Sequence, residues 1–119
     1  MRLLLISNST NPGEPYLDYP KYEIQQFLGT RSTTALFIPY AAIRFSYDEY
    51  EAKVENRFAE IGHHVKSIHQ FDDPVKAVNE AEAIVVGGGN TWHLVQQLHQ
   101  NGLMEPIRKK VLNGTPYVG

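Results

Sequence analysis

The stretch AIVVGGGNTWHL, residues 83–94, decides the fold. Ala83, Ile84, Val85 and Val86 make an apolar run of strand length, and Gly87, Gly88 and Gly89 follow at once. Asn90 and Thr91 come next, and a helical apolar pattern then runs through Trp92, Val95 and Leu98. A strand that ends in a tight turn and re-enters as a helix is the βα unit of a parallel sheet. Three glycines leave the backbone bare at the strand's carboxyl end. Glycine permits close approach, and a helix N-terminus adds partial positive charge, so the loop suits an anion or an oxyanion. Asn90 or Thr91 is placed to cap the helix.

The same alternation extends in both directions. Apolar runs at residues 3–6 and 35–38 read as strands, the first as one buried on both faces. Residues 65–69 and 116–119 read as two more, the last as a central strand. Between them, Pro20 opens a helix that Gly29 closes. Ser46 and Glu49 form a capping box for a second helix. Its stripe runs through Tyr47, Tyr50, Val54, Phe58 and Ile61, and Gly62 ends it. Asp73 and Pro74 start a short helix with Val75 and Val78 inward, and Glu105 and Pro106 start another through Ile107 and Val111. Asn11, Pro12 and Gly13 are turn chemistry. Strands alternating with helices imply right-handed crossovers and a three-layer α/β sandwich with a mostly parallel sheet. In such sheets ligands bind beyond the carboxyl ends of the strands. The loops at residues 7–10, 39–44 and 87–91 fall there.

Composition narrows the function classes. The chain has 119 residues, enough for one domain, and 42% of them are hydrophobic. No apolar run approaches the roughly 20 residues of a membrane span, and the N-terminus lacks the form of a signal peptide. Cysteine is absent, which removes disulfides, thiol nucleophiles and thiolate metal sites. A cytoplasmic protein is the expectation, with no cofactor, no membrane and no nucleic acid among its partners. The formal net charge is −2, and Arg108, Lys109 and Lys110 form the largest basic cluster, which suits a helix's last turn rather than a nucleic-acid face.

The named glycine motifs fail. There is no G-x-x-x-x-G-K-[ST], and in G-x-G-x-x-G the third glycine position is Trp92, whose indole blocks close helix–strand packing. A tight turn without a ligand remains the plain alternative. His63 and His64 read as a surface turn beside Gly62, and His69 as the end of a strand. His93 and His99 lie six apart on one helix and face different sides. No carboxylate joins the histidines at metal-ligand spacing, so no metal is expected. Arg44, after the second strand, is placed to meet an acidic ligand or to be solvated. Ser7 and Ser9 lack the glycine-flanked turn of a nucleophile elbow. The tyrosines of residues 40–50 either line a pocket or pack the core.

At this point LLLISNST, FIPYA, the helix with YDEY, AIVVGGGNTWHL and GTPYVG, in this order, resemble peptidase E, the aspartyl dipeptidases. The resemblance runs the length of the chain. It implies a class I glutamine-amidotransferase-like (flavodoxin-like) α/β sandwich, incomplete in this chain, with residues 1–119 as the N-terminal part of a single hydrolytic domain. It implies a serine peptidase that hydrolyses dipeptides with an N-terminal aspartate (Asp-Xaa). In that family the strand corresponding to residues 116–119 runs into a Trp-Ser-Ala-Gly elbow that carries the nucleophile. The nucleophile is therefore expected just after Gly119, and no residue of this chain takes a catalytic role in the triad. The 119 residues alone are expected to be inactive and marginally folded. Gly88, Gly89 and Asn90 are the residues expected to face the oxyanion or the substrate. A cyanophycinase-like hydrolase of acidic peptides, or a non-catalytic α/β module that binds a small anion, are the alternatives.

Overall fold

The computed structural model describes residues 1–6 and 20–119. The expected turn at residues 11–13 and the loop at residues 7–10, with Ser7 and Ser9, lie outside the described residues. The strands are β1 (Leu3–Leu4), β2 (Thr34–Ile38), β3 (His64–Ser67), β4 (Ile84–Val86) and β5 (Tyr117–Val118). The helices are α1 (Lys21–Leu28), α2 (Tyr47–Ala59), α3 (Pro74–Asn79), α4 (Thr91–Gln100) and α5 (Met104–Leu112). Among the described residues the strands form one five-stranded sheet in the order β1-β5-β4-β2-β3, and every pairing is parallel.

Alternation along the strands divides two cores. On β2, Ala35 and Phe37 face one core, and Leu36 and Ile38 face the other. The first core takes Ile24 of α1 and Tyr50, Val54 and Phe58 of α2. The second takes Ala77 and Val78 of α3, with Leu94 and Leu98 of α4 and Ile107 of α5 against it. Three layers follow: α1 and α2, the sheet, then α3, α4 and α5. The side chains of Val54 and Phe58 are completely removed from solvent. Truncating such a phenylalanine to alanine costs about 3–5 kcal/mol.

Local signals explain the helix starts. The Ser46 hydroxyl accepts from the Glu49 amide at 3.1 Å, and Asp73 accepts from the Lys76 amide at 3.1 Å with Pro74 opening α3. Gly29 and Gly62 close α1 and the turn after α2.

Four details differ from the sequence reading. The first strand is short and lies at the sheet's edge, so Leu3 and Leu5 are exposed rather than buried on both faces. β3 stops at Ser67, and residues 68–70 form a 3-10 turn that carries His69. Side chains of α2 flank the outer edge of this strand: Glu55 accepts from the Val65 amide at 2.7 Å and Glu51 from the Ser67 amide at 2.5 Å. Two carboxylates one turn apart thus occupy the outward donors of an edge strand, which a further strand would otherwise take. His63 is buried, not in a surface turn; its Nδ1 accepts from the Thr33 amide at 3.1 Å and its Nε2 donates to the Gly29 carbonyl at 3.1 Å. Finally, Trp92 and Val95 are exposed. Steps of three turn an α-helix by about 300°, so Trp92 lies about 120° from the inward Leu98. Leu94, four before Leu98, takes the inward place instead.

Candidate active site

The chain leaves β2 for α2 on one face of the sheet and leaves the neighbouring β4 for α4 on the opposite face. The loops after these two strands therefore diverge, and a crevice opens between them at the switch in strand order. A cleft of about 350 Å³ occupies that position. Residues 41–45 line one side, and Gly88, Gly89 and Asn90 the other.

The three glycines answer to different constraints. A β-carbon on Gly87 would stand 2.5 Å from the Tyr50 hydroxyl oxygen. Gly89 has φ +145°, and a β-carbon there would stand 2.5 Å from the Ala41 carbonyl oxygen. Side chains are excluded at both by the fold. Gly88 is unlike them: its φ lies outside the left-handed region, and a β-carbon would meet nothing within 4 Å. The fold does not require glycine at 88. A side chain there would stand in open space at the wall of the cleft.

The loop's amides divide in the same way. The Gly87 amide donates to the Ile38 carbonyl at 3.1 Å, and the Asn90 amide to Ala41 at 2.9 Å. The amides of Gly88 and Gly89 have no acceptor among the described residues. Asn90 is the helix cap: its Oδ1 accepts from the His93 amide at 2.9 Å. This resolves the choice between Asn90 and Thr91 and commits that oxygen to the helix.

Arg44 lines the cleft and is exposed, with no ion pair among the described residues. Tyr50 is the contributor that sequence periodicity hid. It reads as one more member of the α2 stripe, and its ring does pack edge-on against Phe37 and Phe45. Its hydroxyl, however, donates to the Gly88 carbonyl at 3.0 Å. The available signal was chemical: a buried tyrosine hydroxyl must find a partner.

The histidines lie outside the cleft or at its margin. His93 borders a shallower hollow beside it, with Phe45 and Tyr47. Contrary to the spacing argument, carboxylates do reach histidines: His64 meets Glu55 at 2.5 Å and His69 meets Asp48 at 2.6 Å. Ligand atoms of Asp48, Glu51 and His69 lie within 4.8 Å of one another. His69 lies 21 positions from Asp48, and only the packing of α2 beside the end of β3 unites them. Ser67, His69 and Asp48 are even connected in the order of a catalytic triad, with the Ser67 hydroxyl on Nδ1 and Asp48 on Nε2. Ser67 is completely buried, so its oxygen meets no substrate. Those three residues fasten the end of β3 to α2.

The family model described as Peptidase family S51 matches residues 3–119. The chain belongs to peptidase family S51. A "Peptidase E" of Nostoc sp. is 49% identical over 118 residues, which are 99% of this chain and 49% of that protein. A "Peptidase E" of Escherichia coli O6:K15:H31 is 43% identical over 120 residues, 100% of this chain and 52% of that protein. The chain thus spans about half the length of the curated relatives it matches. The crystal structure of a putative peptidase E from Listeria monocytogenes superposes with a TM-score of 0.72 at 22% identity, covering 98% of this chain and 56% of that one. Its likeness bears out the α/β fold. Among the described residues of this S51 chain, no helix is long and apolar enough to cross a membrane.

Proposed function

We propose that the protein carrying this chain is a serine-type dipeptidase that hydrolyses dipeptides with an N-terminal aspartate. Residues 1–119 are the N-terminal part of its single hydrolytic domain and supply the oxyanion side of its site. One observation carries this reading: the amides of Gly88 and Gly89, unengaged among the described residues, stand at a cleft, at the carboxyl end of β4. The pairing of Val85 with Val118 puts Gly119 level with Val86. A residue following Gly119 then stands abreast of the glycine loop, where the resemblance to peptidase E puts the nucleophilic serine.

The chemistry follows from that placement. Attack of a serine oxygen on the scissile carbonyl moves an electron pair onto the carbonyl oxygen. Preorganised amides hold that charge, and loss of one such donor costs about 10²–10³ in rate. The amide after the nucleophile provides the partner donor. The N-terminus of α4 adds partial positive charge at the same place. Arg44 supplies a cation at the cleft for a carboxylate of the substrate.

The test is turnover by the full-length protein on Asp-Leu and Ala-Leu. Preference for Asp-Leu by at least 100-fold in kcat/KM is the expected outcome. Binding of small anions without hydrolysis of either peptide would instead favour a non-catalytic module.

A further inference from the structure

Building on the dipeptidase reading above, we propose that Tyr50 is a positioning residue of the oxyanion site: its hydroxyl orients the Gly88–Gly89 peptide so that the Gly89 amide faces the substrate. The hydroxyl donates to the Gly88 carbonyl at 3.0 Å. That carbonyl and the Gly89 N–H belong to one peptide group, and no cis peptide occurs among the described residues. In a planar trans peptide the C=O and the following N–H point in opposite directions. Fixing the carbonyl on Tyr50 therefore turns the Gly89 N–H away from it, to the open side of the loop.

The rest of the loop leaves this peptide as the free joint. The Gly87 amide is held by Ile38 and the Asn90 amide by Ala41, so both flanks are pinned. Between them stand two glycines, the residues with the lowest barrier to alternative φ and ψ. Rotation of the Gly88–Gly89 peptide would replace a donor at the cleft with a carbonyl oxygen, which repels an oxyanion. Tyr50 opposes that rotation. It is itself held rigid, with its ring edge-on to Phe37 at 4.9 Å and to Phe45 at 5.1 Å. The absence of a β-carbon on Gly87 lets the hydroxyl come close enough to reach Gly88.

The experiment is Tyr50→Phe in the full-length enzyme. It keeps the ring and removes the donor. With Asp-Leu as substrate, kcat per folded molecule should fall 10- to 100-fold while KM stays within about 2-fold, since the amide binds charge that develops only in the transition state. Affinity for aspartal with its free α-amine, the aldehyde of the substrate's N-terminal aspartate, which forms a tetrahedral adduct, should fall by the same factor, and affinity for free aspartate should not. Without any reference to turnover, ¹⁵N relaxation dispersion on glycine-labelled protein should show new exchange at the Gly89 amide of the variant. A folded variant with unchanged kcat and an unchanged Gly89 signal overturns the proposal. So does a loss shared by kcat, KM and melting temperature with aldehyde affinity unaltered, the mark of a merely structural tyrosine. Inactivity of the wild type on Asp-Leu would refute the dipeptidase reading instead, and the Gly89 signal would still decide the role of Tyr50.

Discussion

Gly89 packs on the Ala41 carbonyl so tightly that a β-carbon would stand 2.5 Å from its oxygen, at a φ of +145°. The adjacent Gly88 has neither constraint. Two neighbouring glycines thus serve different ends, and alanine at each separates them. Gly88→Ala in the full-length protein should leave the melting temperature within about 1 °C, inside the 2–4 °C that 1 kcal/mol moves a domain of roughly 150–250 residues. If the full-length protein is the proposed dipeptidase, the substitution should lower kcat at least 10-fold. Gly89→Ala should destabilise by about 2 kcal/mol or more, since such a sparsely populated positive φ costs a non-glycine residue about 1–3 kcal/mol and the clash with Ala41 adds to it. Thermal melts with kcat per folded molecule are the measurement.

Asn90 offers a different dissection. Its Oδ1 caps α4 on the His93 amide. Asn90→Ala should cost about 1 kcal/mol through loss of the cap. Asn90→Asp should keep the cap and the melting temperature, yet, on the proposed function, set a negative charge beside the developing oxyanion and lower kcat. Equal kcat in the aspartate variant would move the oxyanion away from this loop.

At the far edge of the sheet, Glu51 and Glu55 occupy the amides of Ser67 and Val65. Glu55→Ala should leave a donor of an edge strand open, cost about 1–3 kcal/mol and raise the tendency to aggregate. Light scattering on heating, compared with Glu49→Ala on the same helix, reads the difference.

Alkaline pH should weaken the fold through Tyr40. Burial raises its pKa above the ordinary 10.0, and the neighbouring Tyr47 raises it further. The unfolded chain then loses its proton first, so the stability from the neutral phenol is complete below pH 10.0 and fades as pH rises through the folded value. Tyr47 and Tyr117 are displaced in the same direction by burial. Tyr40→Phe should therefore flatten, without abolishing, the fall of melting temperature above pH 10.0.

The order of strands and helices was legible because local rules agree with the fold. Residues 83–86, 46–49 and 73–74 carry strand, cap and proline signals that tertiary packing leaves in place. The loop was legible for the same reason, since three glycines between a strand and a helix admit few structures. What sequence could not carry was partnership at a distance. His63 looked like a surface turn because the chain around it is polar, but Thr33 and Gly29, some 30 positions earlier, enclose its ring. Tyr50 looked like core because its ring is core, and the hydroxyl's partner lies 38 positions away. Trp92 looked inward because spacings of three and four both read as helical, and only packing chooses the phase.

The most direct measurement is a crystal structure of the full-length protein with aspartal, the aldehyde of aspartate with a free α-amine, bound as its tetrahedral adduct. The adduct oxygen should lie about 2.7–3.1 Å from the Gly89 amide nitrogen, the distance of an oxyanion-hole donor, with the Gly88 carbonyl still on Tyr50. An adduct whose oxygen is held by other donors, with the Gly88 and Gly89 amides facing only solvent, would contradict the assignment of this loop.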